Sequence, residues 1–217
     1  MSKQSSKKLE SRSKISNNSL IIVVSAPSGA GKTTIVGELV KKKKTLRKVI
    51  THTTRSPRPK EKPGKDYFFV THTEFSEMIL HKEFVEWAVV YNQKYGTSKL
   101  QIESILDKNQ DVVLVIEEQG AREIKKTFPN RSVFVLLLPP SMKELEKRIK
   151  LRQGMNPEDL ENRLKLARQE IQSMNWYDYV LVNRDIKKTV DRFCQIIDCE
   201  HLKLNRSKAL IEGLMQD

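Results

Sequence analysis

A run of small residues near the start of the chain has the composition and spacing of a phosphate-binding loop. It reads Ser25-Ala26-Pro27-Ser28-Gly29-Ala30-Gly31-Lys32-Thr33-Thr34 and directly follows an apolar segment, 20–24. The two glycines would let backbone N–H groups curl around phosphate oxygens. The lysine offers a charge to the outer phosphates and the first threonine an oxygen for Mg²⁺, while the following helix points its positive end at the anion. The pattern predicts a site for a nucleoside triphosphate and Mg²⁺.

One position departs from the usual loop, because Ala26 stands where a first glycine is usual. Alanine is the smallest replacement, so we expect a bent loop that still binds phosphate. The alternative interpretation is a fortuitous glycine-rich turn before a helix. The preceding β-branched strand and the Gly-Lys-Thr ending together favour the phosphate-binding loop.

A second candidate phosphate site lies in the segment Thr51-His52-Thr53-Thr54-Arg55-Ser56-Pro57-Arg58-Pro59. The prolines fix the backbone, and the two arginines are rigid forks of the kind that bind phosphate through paired hydrogen bonds. Taken alone, the same segment could be a surface loop with solvated arginines.

Length and composition favour one α/β domain with a sizeable core. The chain has 217 residues, of which 38% are hydrophobic and 31% charged. It contains no apolar run of about 18 residues, so we expect no membrane span. Cys194 and Cys199 fit neither a zinc site nor a disulfide framework. These features predict reduced thiols and a cytoplasmic protein.

The net charge of +13 raises the question of nucleic-acid binding. Part of the charge lies in residues 1–19, a Lys/Ser-rich stretch that we expect to be a disordered basic tail and that lacks the apolar region of a secretory signal. The remaining excess suits a protein that binds two phosphorylated ligands. We expect no nucleic-acid partner, because the aromatic platforms and recognition motifs for it are missing.

Alternating strand and helix patterns follow the loop. Buried strands are predicted at 110–116 and 131–138 and a last strand at 177–183, and Ser141 is a candidate N-cap after the second of them. The closing helix, 186–203, should turn five apolar residues inward: Val190, Phe193, Ile196, Ile197 and Leu202. This order predicts a three-layer α/β fold with a mostly parallel sheet.

The loop, together with Thr-Thr-Arg-x-Pro-Arg and Tyr67 downstream, resembles the guanylate kinase family of P-loop nucleoside monophosphate kinases. Further matches at 83–88 and 92–98 extend the resemblance over about residues 20–204. It implies a P-loop kinase fold with an inserted NMP-binding lobe at about 51–100 and a lid at about 141–170. Residues 205–217 would then be a C-terminal extension.

The resemblance also implies a binding site for GMP. Its phosphate would be held by Arg55, Arg58, Tyr67 and Tyr95, and its guanine by Glu86, Thr51 and Thr97, and Glu117 would also bind the nucleotide. Guanine presents two adjacent donors, N1–H and the 2-amino group, which one carboxylate can accept together. Adenine would leave that carboxylate facing a lone pair. Glu86 could instead be a surface residue of an alternating strand.

On the donor side, the resemblance assigns ATP to the loop and to one asparagine: Ala26, Pro27, Ser28, Gly29, Ala30, Gly31, Lys32, Thr33, Thr34 and Asn183. Thr33 would bind Mg²⁺. Lys32, Arg148, Arg152 and Arg163 would be the catalytic cations, although each arginine alone could be a solvated helix residue.

The chain departs from the family where a strand usually ends in Asp-x-Asp. Val115 and Glu117 occupy those two places. A valine cannot accept a hydrogen bond from a metal-bound water, so that contact would come from Glu117 or solvent, or be absent. Glu117 could also simply cap the next helix.

These observations predict ATP-dependent phosphorylation of GMP, and of dGMP, by direct in-line transfer. Two alternatives stay open: a non-catalytic guanylate-kinase-like binding module, and a related P-loop kinase with another phosphorylated acceptor. The sequence gives no indication of the oligomeric state.

Overall fold

The computed structural model describes residues 18–90, 92–151, 157–173 and 175–206. The predictions for most of the basic tail, for Arg152 and for most of the C-terminal extension therefore lie outside the described residues. The strands are β1 Ile21–Ser25, β2 Leu46–Lys48, β3 His52–Thr53, β4 Phe68–Phe69, β5 Phe84–Val90, β6 Gln93–Ser98, β7 Asp111–Val115, β8 Ser132–Leu138 and β9 Tyr179–Val182. The helices are α1 Lys32–Lys42, α2 His72–Leu80, α3 Lys99–Leu106, α4 Glu118–Thr127, α5 Met142–Lys150, α6 Pro157–Ser173 and α7 Ile186–His201, before a 3₁₀ turn, Leu204–Arg206.

Five strands form a parallel sheet in the order β2-β7-β1-β8-β9. β1 lies at its centre and is buried along its whole length, as expected for a strand covered on both faces. One face packs against α1 and α7 through Ile35, Leu39 and Phe193. The other packs against α3 and α4 through Ile102 and Ile124. The predicted three-layer fold with a mostly parallel sheet is confirmed.

A second sheet, in the order β4-β3-β6-β5, is built from strands between residues 52 and 98. β3 and β4 are parallel, whereas β6 runs antiparallel to both β3 and β5. A bulge between Phe84 and Glu86 sets the register, so that Glu86 lies opposite Thr97. The sheet therefore brings two distant candidate residues side by side.

The predicted cap at Ser141 is confirmed, since its hydroxyl accepts a hydrogen bond from the Glu144 N–H at 3.1 Å. The inward position predicted for Leu202 is wrong, because that side chain is 79% exposed. Val190, Phe193 and Ile197 are buried, and Glu200 takes the next position on that face. Leu202 is two residues further on and therefore points away.

Residues next to both predicted domain boundaries are buried. Ser19, placed in the tail by sequence, is buried. Arg206, placed in the extension, is also buried and donates to the Asn130 carbonyl at 3.0 Å. Both cysteines are free. None of the helices in the described parts of the chain has the length and apolar character needed to cross a membrane.

Candidate functional site

The phosphate-binding loop joins the end of β1 to the start of α1. Gly29 and Gly31 have φ angles of 93° and 100°, in the region that favours glycine. Gly31 is the N-cap of α1, and no side chain in the described part of the chain caps that end. Ala26 is buried within the loop. The bent loop predicted around Ala26 is compatible with the positive φ angles of Gly29 and Gly31. The N-terminus of α1 is thus arranged as an anion site.

Lys32 lies across the loop toward the end of β7. Its Nζ donates to the Ala26 carbonyl at 2.8 Å and to Glu117 Oε1 at 3.1 Å. Glu117 occupies the N-cap position of α4, but its carboxylate pairs with Lys32 and does not cap the helix. The alternative that Glu117 caps the helix is therefore wrong. Glutamate has one methylene more than aspartate, which is compatible with its carboxylate reaching Lys32.

Two residues predicted to act on ATP, one after β9 and one on α5, contact the phosphate-binding loop. Asn183 is buried, and its Nδ2 donates to the Ala30 carbonyl at 2.9 Å. Arg148 approaches the same carbonyl at 3.5 Å and the Asn183 carbonyl at 3.4 Å, while its Nε donates to Glu144. The structure therefore brings Arg148 to the loop. Arg163 lies half-buried on α6.

The other loop residues differ in exposure. Pro27 and Ala30 are buried, Ser28 is half-buried, and Thr33 and Thr34 are exposed on the first turn of α1. Thr33 is therefore accessible to a metal ion bound outside the loop.

The described residues do not form a cluster of three or more His, Cys, Asp or Glu side chains suited to a metal ion. Mg²⁺ in phosphotransfer sites commonly takes one or two protein oxygens, with water and substrate phosphates as the other ligands. The Thr33 hydroxyl and the Glu117 carboxylate fit that requirement. Val115 is half-buried against the core and supplies no oxygen.

On the second sheet, Arg55 is the centre of a polar and aromatic cluster. Its Nε donates to the Tyr95 hydroxyl at 3.3 Å, and its guanidinium carbon lies 5.4 Å from the centre of the Tyr67 ring. The rings of Tyr67 and Tyr95 meet edge to face at 6.0 Å. The structure therefore brings together three of the four residues predicted to bind the acceptor phosphate.

Glu61, which the sequence reasoning missed, already pairs with this cluster. Arg55 Nη2 donates to its two oxygens at 3.0 and 2.9 Å. The backbone N–H of Arg58 donates to the same carboxylate at 2.8 Å, whereas the Arg58 side chain is exposed. A carboxylate three residues beyond the second arginine was the only sequence signal. Glu61 satisfies Arg55 with the same charge type that a phosphate would present.

Glu86 and Thr97 form a buried pair on β5 and β6. Glu86 is 5% exposed, and the Thr97 hydroxyl donates to its Oε1. Burial raises the pKa of Glu86 to about 7, and the negative charge of Glu117 adds to this effect. The Thr97 hydrogen bond acts in the opposite direction and lowers the pKa. The surface-strand alternative for Glu86 is wrong. Thr51 is half-buried just before β3.

A carboxylate that interacts with the Lys32–Glu117 pair was also missed. Glu170 lies half-buried on α6, and burial together with the charge of Glu117 raises its pKa to about 7, while Lys32 lowers it. The sequence around it reads as an ordinary amphipathic helix, so no signal marked it. The Lys32–Glu117 pair therefore lies in a field of several carboxylates.

Comparison with known proteins decides the family. The family model described as guanylate kinase matches residues 18–200, most of the chain. The chain belongs to the guanylate kinase family. It is therefore an enzyme of the nucleoside monophosphate kinase class.

Individual guanylate kinases are similar over nearly their full length. The guanylate kinase of Caldanaerobacter subterraneus subsp. tengcongensis is 43% identical over 90% of this chain and 95% of its own. That of Clostridioides difficile is 43% identical over 88% of this chain and 93% of its own. The crystal structure of guanylate kinase from Anaplasma phagocytophilum superimposes with a TM-score of 0.74 at 34% identity, covering 88% of this chain and 90% of that one. The family assignment thus rests on sequence and fold together.

Proposed function

We propose that the protein catalyses ATP + GMP ⇌ ADP + GDP by direct in-line transfer, and that dGMP is also an acceptor. One observation carries the acceptor assignment. Tyr95 and Thr97 are two residues apart on β6 and therefore point to the same face of the second sheet. Tyr95 contacts Arg55, and Thr97 contacts Glu86. Two β6 residues on one face, about 7 Å apart along the strand, thus contact a cation for phosphate and a carboxylate for a base.

The acceptor residues would divide the work between the two ends of GMP. Arg55, Arg58, Tyr67 and Tyr95 would bind the phosphate and aim it in line. The Glu86 carboxylate would accept from guanine N1–H and the 2-amino group, with Thr51 and Thr97 at the edge of the base. An adenine in that place would leave Glu86 with an unpaired charge, which supports selection against AMP.

The donor residues would bind ATP and neutralise the charge that develops during transfer. The loop residues 26–34 and Asn183 would hold the nucleotide, and Lys32 would leave Glu117 to contact the outer phosphates. Thr33 and Glu117 would hold Mg²⁺, which when bound neutralises phosphate charge. Arg148, Arg152 and Arg163 would contact the transferring group from the proposed lid.

Two segments would close over the bound nucleotides, as the family pattern implies. Residues at about 51–100 would be the NMP-binding lobe and those at about 141–170 the lid. Their closure would exclude water, so that the γ-phosphoryl group goes to GMP and not to solvent. The reaction belongs to purine nucleotide metabolism, and the cytoplasmic location predicted from the sequence stays a prediction.

A coupled ADP-release assay with GMP, dGMP, AMP, UMP and CMP tests this function. We expect release above the no-acceptor rate with GMP and dGMP alone. Faster release with another monophosphate would establish a different acceptor and overturn the proposal. The Lys32→Met variant should lose transfer while its circular-dichroism spectrum is unchanged.

A further inference from the structure

Gly120 is the third residue of α4 and lies directly against Glu86. A Cβ built on Gly120 would overlap Glu86 Oε2 and would lie 2.8 Å from Cδ and 3.3 Å from Cγ. The backbone at Gly120 is helical, so any residue could adopt its conformation. A larger residue at this position would therefore be excluded by the Glu86 side chain and not by the backbone conformation.

The part that would yield is the carboxylate. β5 and α4 pack against each other, and Gly120, Ala121 and Ile124 are the buried residues of α4. The outer atoms of Glu86 are held on one side by the Thr97 hydroxyl and lie against Gly120 on the other. To regain ordinary contact distances, the carboxylate would have to retreat by about 1 Å. The backbone could stay in place while the charge moves.

We propose that Gly120 is a specificity-determining positioning residue, whose missing side chain keeps the Glu86 carboxylate where it reads the donor edge of guanine. This inference rests on the proposed function. Gly120 does not touch the nucleotide and acts through Glu86. A displacement of about 1 Å in a positioned group can change rates by up to about 100-fold, which is large enough to measure.

The test is Gly120→Ala, with Gly37→Ala as the matched control. Gly37 lies on the exposed side of α1, and a Cβ there meets nothing within 4 Å. Both substitutions increase helix propensity, but only Gly120→Ala touches Glu86. We expect KM for GMP to rise about 10-fold or more, KM for ATP to change less than about two-fold, and the preference for GMP over AMP to fall. A KM for GMP within about two-fold of wild type would overturn the proposal.

A double-mutant cycle with Glu86→Asp identifies the contact responsible. Aspartate is one methylene shorter, so Gly120→Ala should have little further effect on GMP binding in that background. Equal effects of Gly120→Ala in both backgrounds would contradict the proposal. If Gly120→Ala alone fails to fold, the Glu86→Asp/Gly120→Ala protein should fold again, and its failure to do so would also contradict the proposal.

A stability measurement keeps this inference separate from the proposed function. In apo protein, Glu86→Gln should change unfolding stability in a pH-dependent way, since the glutamate is buried. That pH dependence should change in the Gly120→Ala background, because displacement alters the surroundings of the buried carboxylate. An unchanged dependence would overturn the inference about Gly120. Absence of GMP phosphorylation by the wild-type protein would instead overturn the function alone.

Discussion

Replacing Glu86 with glutamine should stabilise the apo protein at alkaline pH while weakening its binding of GMP. The reason is the burial of this carboxyl group, which is 5% exposed and whose pKa is raised from 4.5 to about 7. Its ionised form is therefore less favourable in the folded protein than in the unfolded chain. Glutamine has nearly the same shape and carries no charge.

The magnitude follows from the two pKa values. Each tenfold change in acid dissociation corresponds to about 1.4 kcal/mol, so ionised Glu86 destabilises the fold by about 3 kcal/mol. Between pH 4.5 and about 7 the folded state holds a proton that the unfolded chain has lost, and wild-type stability falls as the pH rises through that range. Above about pH 7 both states are ionised, and the full penalty is present. Below 4.5 both are protonated, and the penalty disappears.

Urea unfolding of the two proteins without nucleotide, from about pH 5 to about pH 9, measures this effect. We expect Glu86→Gln to be more stable by about 2–3 kcal/mol at the alkaline end and by little at the acidic end. Glu77→Gln, at an exposed position of α2, gives the background change for losing one surface glutamate. Calorimetry at alkaline pH should show weaker GMP binding, by about 1–3 kcal/mol. A stability difference that does not change with pH would refute the reasoning.

Three further substitutions test other contacts. Val115→Asp should raise kcat several-fold, equivalent to about 1 kcal/mol for a hydrogen bond to a metal-bound water, and steady-state kinetics showing no change or a fall would mean that Glu117 already fills that role. Tyr177→Phe removes the donor that reaches Ser25 Oγ at 2.6 Å and should cost about 1 kcal/mol in urea unfolding; unchanged stability would contradict this. Gly31→Ala places a side chain on a backbone with a φ of 100° and brings its Cβ to 2.5 Å from Asn183 Nδ2. KM for ATP should therefore rise by a larger factor than KM for GMP, and an unchanged KM for ATP would count against the loop assignment.

Local patterns predicted the elements that carry the donor half of the site. The β-branched run before the loop, the glycines and the Gly-Lys-Thr ending are contiguous, and their geometry depends on neighbours in the chain. The cap at Ser141 was predictable for the same reason. Leu202 was misplaced because helix phase had to be extended past the last buried turn, where Glu200 takes the inward position.

The pairings within the site depend on tertiary structure and could not be predicted locally. Glu86 and Thr97 were each expected to address guanine, but their mutual hydrogen bond depends on the bulge that sets the β5–β6 register. The Arg55–Glu61 pair depends on how a proline-containing loop folds back. Gly120 reads as an ordinary helix glycine until Glu86 is placed against it.

The most direct test of the account follows the transferred group itself. Wild-type protein is incubated with γ-³²P-labelled ATP, Mg²⁺ and GMP, and the label in GDP is compared with the ADP formed. Direct in-line transfer within a closed site predicts that label appears in GDP in equal amounts to ADP, with little free phosphate. Label released mainly as free phosphate, or no label in GDP while GMP binds, would contradict the proposed function.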